Sequence, residues 1–189
     1  MGNSVADSEC ELVRSCLAGE KDGLRAFVEQ FQGTVFGLCY HMLRHRQDAE
    51  DVAQDVFWRA LRNLHRWDQT RPLKPWLLTI AANRCKTLLS TRARIPRAGN
   101  FEEDRYQADV PAAQSELAEE LQLALQKVRE EYRLCFVLYH FQELSLAEIS
   151  DVVGAPVGTI KTWLLRVRGE LAGELHRRGF GLSVKHELP

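Results

Sequence analysis

"LSLAEISDVVGAPVGTIKTWLLRVRGEL", residues 144–171, contains two apolar-periodic segments separated by a short break. Ser145 and Glu148 have the spacing of a capping box, in which both side chains accept hydrogen bonds from the first backbone N–H groups of a helix. Residues 154–156, Gly-Ala-Pro, supply the turn. The second segment repeats its apolar residues at helical spacing, at Ile160, Leu164, Val167 and Leu171. The stretch therefore predicts a helix-turn-helix.

The opposite face of the second predicted helix carries small, polar and basic side chains. They are Gly158, Thr159, Lys161, Thr162, Leu165, Arg166 and Arg168. Such a face suits insertion into the major groove of DNA, with Gly158 and Thr162 allowing close approach and Leu165 available for a thymine methyl group. The alternative is a pair of crossed helices that binds no DNA. The basic residues favour the DNA-binding interpretation.

Helical periodicity extends along nearly the whole chain, so the fold is predicted to be all-α. Ser8 and Glu11 predict a second capping box, at the start of the first helix. Residues 95–111 have a proline near or at each end and few aliphatic side chains, which is typical of a linker. We expect two small helical domains, at residues 8–95 and 114–178, joined by a flexible linker at 96–113 and followed by a tail at 179–189.

Composition excludes several classes of function. Among 189 residues the hydrophobic fraction of 45% is sufficient for a core, and the net charge of -1 argues against a uniformly basic nucleic-acid coat. Five scattered cysteines without a CxxC pair indicate reduced thiols and a cytoplasmic location. No apolar run long enough for a membrane segment occurs.

Motifs of catalysis and cofactor binding are missing from the sequence. It contains no Gly-rich phosphate loop, no GxSxG and no HExxH, so we expect no enzyme and no cofactor. A zinc site at His41 and His45, near Cys39, is conceivable but lacks a fourth ligand, and we expect no bound metal.

A second stretch, "DAEDVAQDVFWRAL", residues 48–61, combines acidic residues with a tryptophan. At 100° per residue, Gln54, Asp55 and Trp58 share a stripe with Asp51, while the apolar residues needed for a core lie on the other side. A large aromatic side chain on a polar stripe is typical of a protein-docking surface. Two alternatives stay open: Trp58 lying flat on its own helix, and Asp48 acting as N-cap with the other carboxylates facing the helix dipole.

The segment "RWDQTRPLKPW", residues 66–76, interleaves aromatic and basic side chains, as a single-stranded nucleic-acid site requires. The helix predicted after it contains a basic track without a carboxylate, formed by Arg84, Lys86, Arg92, Arg94 and Arg97. Its confinement to one segment of a nearly neutral protein favours phosphate binding. An ordinary exposed loop and a solvated helix face are the alternatives.

"DAEDVAQDVF" followed by "WLLTIAAN", residues 76–83, resembles region 2 of bacterial extracytoplasmic function (ECF) sigma factors, and "GTIKTWLLRVR", residues 158–168, resembles the recognition helix of their region 4. The resemblance covers residues 9 to about 178. It implies a sigma factor that docks on the clamp helices of the RNA polymerase largest subunit through Asp48, Asp51, Gln54, Asp55 and Trp58. The resemblance also implies a contact with the flap of the second-largest subunit, to which residues 134–141 could contribute. An anti-sigma factor is a conceivable further partner.

The resemblance also implies contacts with promoter DNA. In the family the loop at residues 65–73 captures a base flipped from the -10 element, and the helix after it contacts the same strand. The implied -10 contacts are Arg66, Trp67, Arg71, Lys74, Trp76, Asn83 and Arg84, and the exposed face of residues 158–168 is expected to read the -35 element. Thr87 stands where many relatives have an aspartate, so the details of -10 reading are not carried over.

The main alternative is a stand-alone helix-turn-helix regulator with an unrelated N-terminal dimerisation or sensing domain. Such a regulator would bind duplex operator DNA alone. A sigma factor of this charge should bind promoter DNA weakly until it joins core polymerase.

Overall fold

The computed structural model describes residues 3–94 and 112–180. Every element of regular secondary structure assigned within these residues is a helix, which confirms the all-α prediction. The elements are α1 (Asn3–Leu17), α2 (Lys21–Leu43), α3 (Arg46–Asn63), a 3₁₀ turn (Leu64–Arg66), α4 (Leu73–Arg94), α5 (Ala112–Lys127), α6 (Glu130–His140), α7 (Leu146–Val153) and α8 (Val157–Arg177). The predicted linker lies outside the described residues, except for its last two positions, which belong to α5. Of the predicted tail, residues 181–189 also lie outside.

The first half of the chain packs α1, α3 and α4 around α2. Phe27, Val35 and Met42 of α2 are fully buried, and the small residues Ala49 and Ala60 let α3 approach closely. The capping box predicted at Ser8 is wrong, because α1 begins at Asn3 and continues through Ser8. Instead, a side chain of α1 caps the start of α4: the Glu9 carboxylate accepts a hydrogen bond of 3.1 Å from the backbone N–H of Leu73, the first residue of α4.

The second half of the chain forms the predicted helix-turn-helix. The Ser145 side chain accepts from the Glu148 N–H while Glu148 accepts from the Ser145 N–H, so this capping box is confirmed. Gly154 ends α7 at a φ of +75°, a left-handed conformation that favours glycine. The four predicted core residues of α8 are all buried. α5 and α6 pack against α8 and complete this unit.

The two halves pack directly against each other, and Arg133 of α6 is central to the contact. This side chain is only 7% exposed. Its guanidinium donates to the Met42 carbonyl of α2 at 2.9 Å and to the Gln126 side chain at 2.6 Å. It also donates at 3.2 Å to the carbonyls of Gln126 and Val128. One buried cation thus satisfies acceptors from both halves.

A second group of contacts surrounds His41. Its ring stacks on Phe141 with centroids 3.9 Å apart, and its Nδ1 atom is hydrogen-bonded to the Gln122 side chain. The His41 carbonyl accepts from Gln126 at 3.1 Å, and the Thr34 carbonyl accepts from Gln142 at 3.3 Å. These bonds connect α2 to the second half of the chain.

Residues at the start of α4 and just before it supply the third group of contacts. The Lys74 ammonium donates to the Gln142 carbonyl at 2.6 Å, and the Arg71 guanidinium lies 3.1 Å from the Asp151 carboxylate of α7. Two cations predicted to contact the -10 element therefore contact the helix-turn-helix half.

None of the helices in residues 3–94 and 112–180 has the length and apolar character needed to cross a membrane.

Replacing Arg133 with methionine should destabilise the protein. Arg133→Met keeps most of the side-chain volume but leaves buried carbonyls without a donor, so we expect the free energy of unfolding to fall by about 1–3 kcal/mol. Urea denaturation followed by circular dichroism measures this loss. The control is Arg25→Met, because Arg25 is exposed and pairs with Glu29 one turn away, a contact worth under about 0.5 kcal/mol. Equal losses in both variants would contradict the role given to Arg133.

Acid should loosen the packing around His41. Burial lowers the pKa of His41, against a smaller raising effect of its bond to Gln122. The packed state therefore favours neutral imidazole, so its stability is complete above the ordinary pKa of 6.5 and declines as the pH falls below it. Hydrogen exchange of α2 and α6 amides, measured from neutral to mildly acidic pH, should show this decline. In His41→Gln the pH dependence should be shallower, and an unchanged slope would refute the assignment to His41.

Candidate functional site

The first candidate surface, called the α3 surface below, comprises Asp48, Asp51, Gln54, Asp55 and Trp58. α3 presents it because the opposite side of the helix, including Val52 and Val56, is buried. Asp51 and Gln54 are exposed. Asp48 is not the N-cap, so that interpretation is wrong: the helix begins at Arg46, and the His45 ring accepts a hydrogen bond of 3.3 Å from the Asp48 N–H.

Trp58 is surplus to the core, as its position on the helix predicts. Its side chain is 56% exposed, the largest fraction among the large hydrophobic residues described as exposed. The Arg62 guanidinium lies 4.4 Å from the ring centroid, one turn further along α3. One ring face is therefore covered by a cation of the same helix, which partly agrees with the alternative of a tryptophan lying on its own helix. The exposed remainder is available to a partner.

Two carboxylates of the α3 surface are paired with the basic track of α4. Asp55 forms ion pairs with Arg59, at 2.9 Å, and with Arg84. Asp48 forms an ion pair with Arg92, and its carboxylate also lies 2.8 Å from the Nδ1 atom of His45. The sequence places opposite charges on α3 and α4 but does not reveal that they meet. These carboxylates stabilise helix packing as well as contributing negative charge to the surface.

A groove of about 540 Å³ opens between α2 and α3 next to Gln54. Its walls are largely apolar, with Val28 and Phe36 from α2 and Phe57 from α3. Arg46 and Glu50, an i,i+4 ion pair at 2.8 Å, line one side of it. An apolar side chain of a partner bound to the α3 surface would fit such a groove.

The loop before α4 differs from its predicted form at Trp67. The Trp67 side chain is only 6% exposed and belongs to the hydrophobic core, so its ring offers no free face to a base in this arrangement. The loop has no periodicity from which this burial could be predicted. His65 and Arg66 beside it are exposed.

The remaining predicted -10 residues lie at or in α4. Arg71 is exposed but pairs with Asp151, and Lys74 and Trp76 are half-buried. Asn83 is exposed, and its backbone carbonyl accepts a hydrogen bond of 2.8 Å from the Thr87 hydroxyl. Arg84 is half-buried in its pair with Asp55. Arg71, Lys74 and Arg84 are thus already engaged with acceptors of the protein itself.

The second candidate surface, called the α8 face below, consists of the seven residues predicted to enter a major groove. Gly158, Lys161, Thr162, Leu165 and Arg166 are exposed, whereas Thr159 and Arg168 are half-buried at its edges. This distribution agrees with the predicted orientation of the helix. The Arg166 guanidinium donates to the Tyr132 hydroxyl at 3.0 Å, and the Arg168 guanidinium lies 5.8 Å from the ring centroid of Tyr139. Sequence reasoning missed both tyrosines, because α6 looks like a core helix.

The segment at residues 134–141 belongs mainly to the core. Leu134 and Leu138 are fully buried, and Phe141 is partly exposed but stacked on His41. His140 and Phe141 are the exposed residues of this segment.

No group of three or more potential metal ligands occurs in the part of the chain that the structure describes. The five cysteines are free thiols, and all but Cys10 are buried. A hydrogen bond with Cys85 and burial raise the pKa of the Cys39 thiol, which disfavours its reactive thiolate form.

Comparison with known proteins identifies both halves. Residues 27–95 match the family model of Sigma-70 region 2, and residues 118–171 match that of Sigma-70, region 4. The ECF RNA polymerase sigma factor SigW of Bacillus subtilis (strain 168) is 31% identical over 178 residues, covering 86% of this chain and 94% of SigW. The RNA polymerase sigma-H factor of Pseudomonas aeruginosa (strain PAO1) is 27% identical over 175 residues, covering 86% of this chain and 91% of that protein.

Solved structures share the fold. CnrH, solved in complex with the cytosolic domain of CnrY, superimposes with a TM-score of 0.68 at 23% identity, covering 88% of this chain and 96% of CnrH. RpoE of Bartonella quintana, solved with the anti-sigma factor NepR, gives 0.65 at 19% identity, covering 80% of this chain and 96% of that one. With both regions present in order and a relative matched over nearly its full length, the chain belongs to the ECF group of the sigma-70 family of RNA polymerase sigma factors.

Proposed function

We propose that this sigma factor binds the clamp helices of the polymerase largest subunit through the α3 surface. The observation that carries the proposal is the exposure of Trp58 at 56% at the end of an acidic stripe. Tryptophan is enriched at the energetic centres of protein interfaces. The neighbouring apolar groove adds room for a side chain of the partner, and Asp51 supplies charge for a basic one.

The same proposal divides promoter reading between the two halves. Residues 8–95 would bind polymerase and the -10 element, and residues 114–178 would read the -35 element and seat on the flap of the second-largest subunit, with 96–113 as linker and 179–189 as tail. The exposed α8 face supports the second role. Exposed Arg66 and Asn83 support the first, whereas the burial of Trp67 removes it from the candidates in this arrangement.

The packing of the two halves bears on when DNA is bound. Arg71 and Lys74 contact acceptors of the second half, so phosphates have to compete with these acceptors for the two cations. Capture of a flipped base further costs on the order of a few kcal/mol in lost stacking. We therefore propose that polymerase binding separates the halves and that -10 melting follows.

We also propose that the protein acts without catalysis of its own, in the cytoplasm. Its relatives are sigma factors, and its thiols are free, as is usual in a reducing compartment. An anti-sigma factor is a further proposed partner, since the sigma factor RpoE of similar fold was solved with one. The stand-alone regulator is not favoured, because the match to sigma factors includes both halves.

Run-off transcription with purified core polymerase on a pool of random promoters tests the proposal. A specific transcript that depends on this protein is the expected result. Tight binding to a duplex operator without polymerase, and no such transcript, would favour the stand-alone regulator instead.

Truncating Trp58 should weaken binding to core polymerase. For Trp58→Ala we expect a loss of about 2 kcal/mol or more, the range of an interface hot spot, measured by titrating labelled core polymerase. Leu17→Ala is the matched control, since Leu17 is 52% exposed on α1 and should tolerate truncation without loss of affinity. Unchanged affinity of Trp58→Ala would exclude the α3 surface as the main contact.

Removing the Arg166 guanidinium should relax -35 reading. If the side chain contacts a base edge with two hydrogen bonds, Arg166→Ala loses about 1–3 kcal/mol of discrimination at one base pair. Transcription from promoters varied at each -35 position measures this. An equal loss on every sequence, with a smaller salt dependence, would instead make Arg166 a phosphate contact.

A further inference from the structure

Tyr132 lies beneath the α8 face, in the first turn of α6. We propose that Tyr132 is a positioning residue for -35 recognition: its hydroxyl holds the Arg166 guanidinium in the orientation in which it meets a base edge. This inference rests on the proposed function of the α8 face. It assigns a specificity role to a residue that touches no DNA itself.

The Tyr132 ring is held from several sides. The side chain is only 4% exposed. Its ring lies 5.9 Å from that of Trp163 on α8, at an interplanar angle of 42°, and the Arg129 guanidinium lies 5.1 Å from its centroid. Because a ring enclosed in this way has few accessible rotamers, the position of its hydroxyl is fixed relative to α8.

Arg166 reaches this fixed point from the exposed side. Its Nη1 atom donates to the Tyr132 hydroxyl at 3.0 Å, within ordinary hydrogen-bonding distance. A guanidinium has five N–H donors, so one bond to tyrosine leaves enough for a two-pronged contact with guanine. A side chain already restrained loses less conformational freedom when it binds, and the fixed direction of its donors favours a base whose acceptors lie in that direction over the others.

The neighbouring arginine is held differently. Arg168 lies over the ring of Tyr139, with 5.8 Å to the centroid. A cation over a ring face is attracted without a strong preference for one orientation, whereas a hydrogen bond fixes a direction. The hydroxyl of Tyr132 therefore orients Arg166. The contact between Tyr139 and Arg168 involves the ring and does not require the hydroxyl of Tyr139.

Tyr132→Phe tests the inference, because it removes the hydroxyl and keeps the buried ring. Holoenzyme assembled from the full chain and core polymerase would transcribe promoters varied at each -35 position. We expect about a two- to tenfold loss of discrimination, at the base pair where Arg166→Ala also loses it. Tyr139→Phe is the matched control and should keep wild-type discrimination, since its contact with α8 runs through the ring.

A double variant separates positioning from general destabilisation. In an Arg166→Ala background, Tyr132→Phe should cause no further loss of discrimination if it acts through Arg166. A structural role would instead lower transcription from every promoter alike and leave the ratios unchanged. Wild-type ratios for Tyr132→Phe, or additive losses in the double variant, would overturn the inference while the proposed function stands. Absence of any -35 preference in the wild-type holoenzyme would overturn both.

Discussion

The packing of the two halves of this protein against each other depends on a buried cation at the ends of two helices. The last carbonyls of an α-helix have no partner within it. Met42 lies at the end of α2, Gln126 lies at the end of α5, and Val128 directly follows α5, so the Arg133 guanidinium satisfies carbonyls at helix ends from both halves of the chain at once. A positive charge is also favoured at the negative end of a helix dipole. Burial would otherwise make that cation costly, and its four hydrogen bonds offset the cost.

The surfaces proposed for polymerase and DNA share their charges with the scaffold. Asp55 pairs with Arg84, and Asp48 pairs with Arg92, so α3 and α4 are joined by residues that also face outward. The side chains of these pairs are 20–32% exposed, so solvent screens the pairs only in part. A partner that redirects these side chains therefore has to supply new partners for the separated charges.

Periodic segments could be predicted from the sequence, and contacts between distant segments could not. The stripes of α3 and α8 follow from apolar spacing, and the structure buries and exposes the expected sides. Trp67 lies in an aperiodic loop, so its burial depends on packing that no local pattern encodes. The pairing of Arg71 with Asp151 joins residues 80 positions apart. The capping box predicted at Ser8 was wrong because a local motif does not exclude a helix that starts earlier.

The engagement of Arg71 and Lys74 has a thermodynamic corollary. A polyanion that draws these side chains away from Asp151 and the Gln142 carbonyl weakens the association of the two halves. Linkage is reciprocal, so whatever separates the halves raises polyanion affinity by the same factor. Because Arg71 and Asp151 are both well exposed, their share of this coupling should shrink as ionic strength rises, and most of the remainder should come from Lys74.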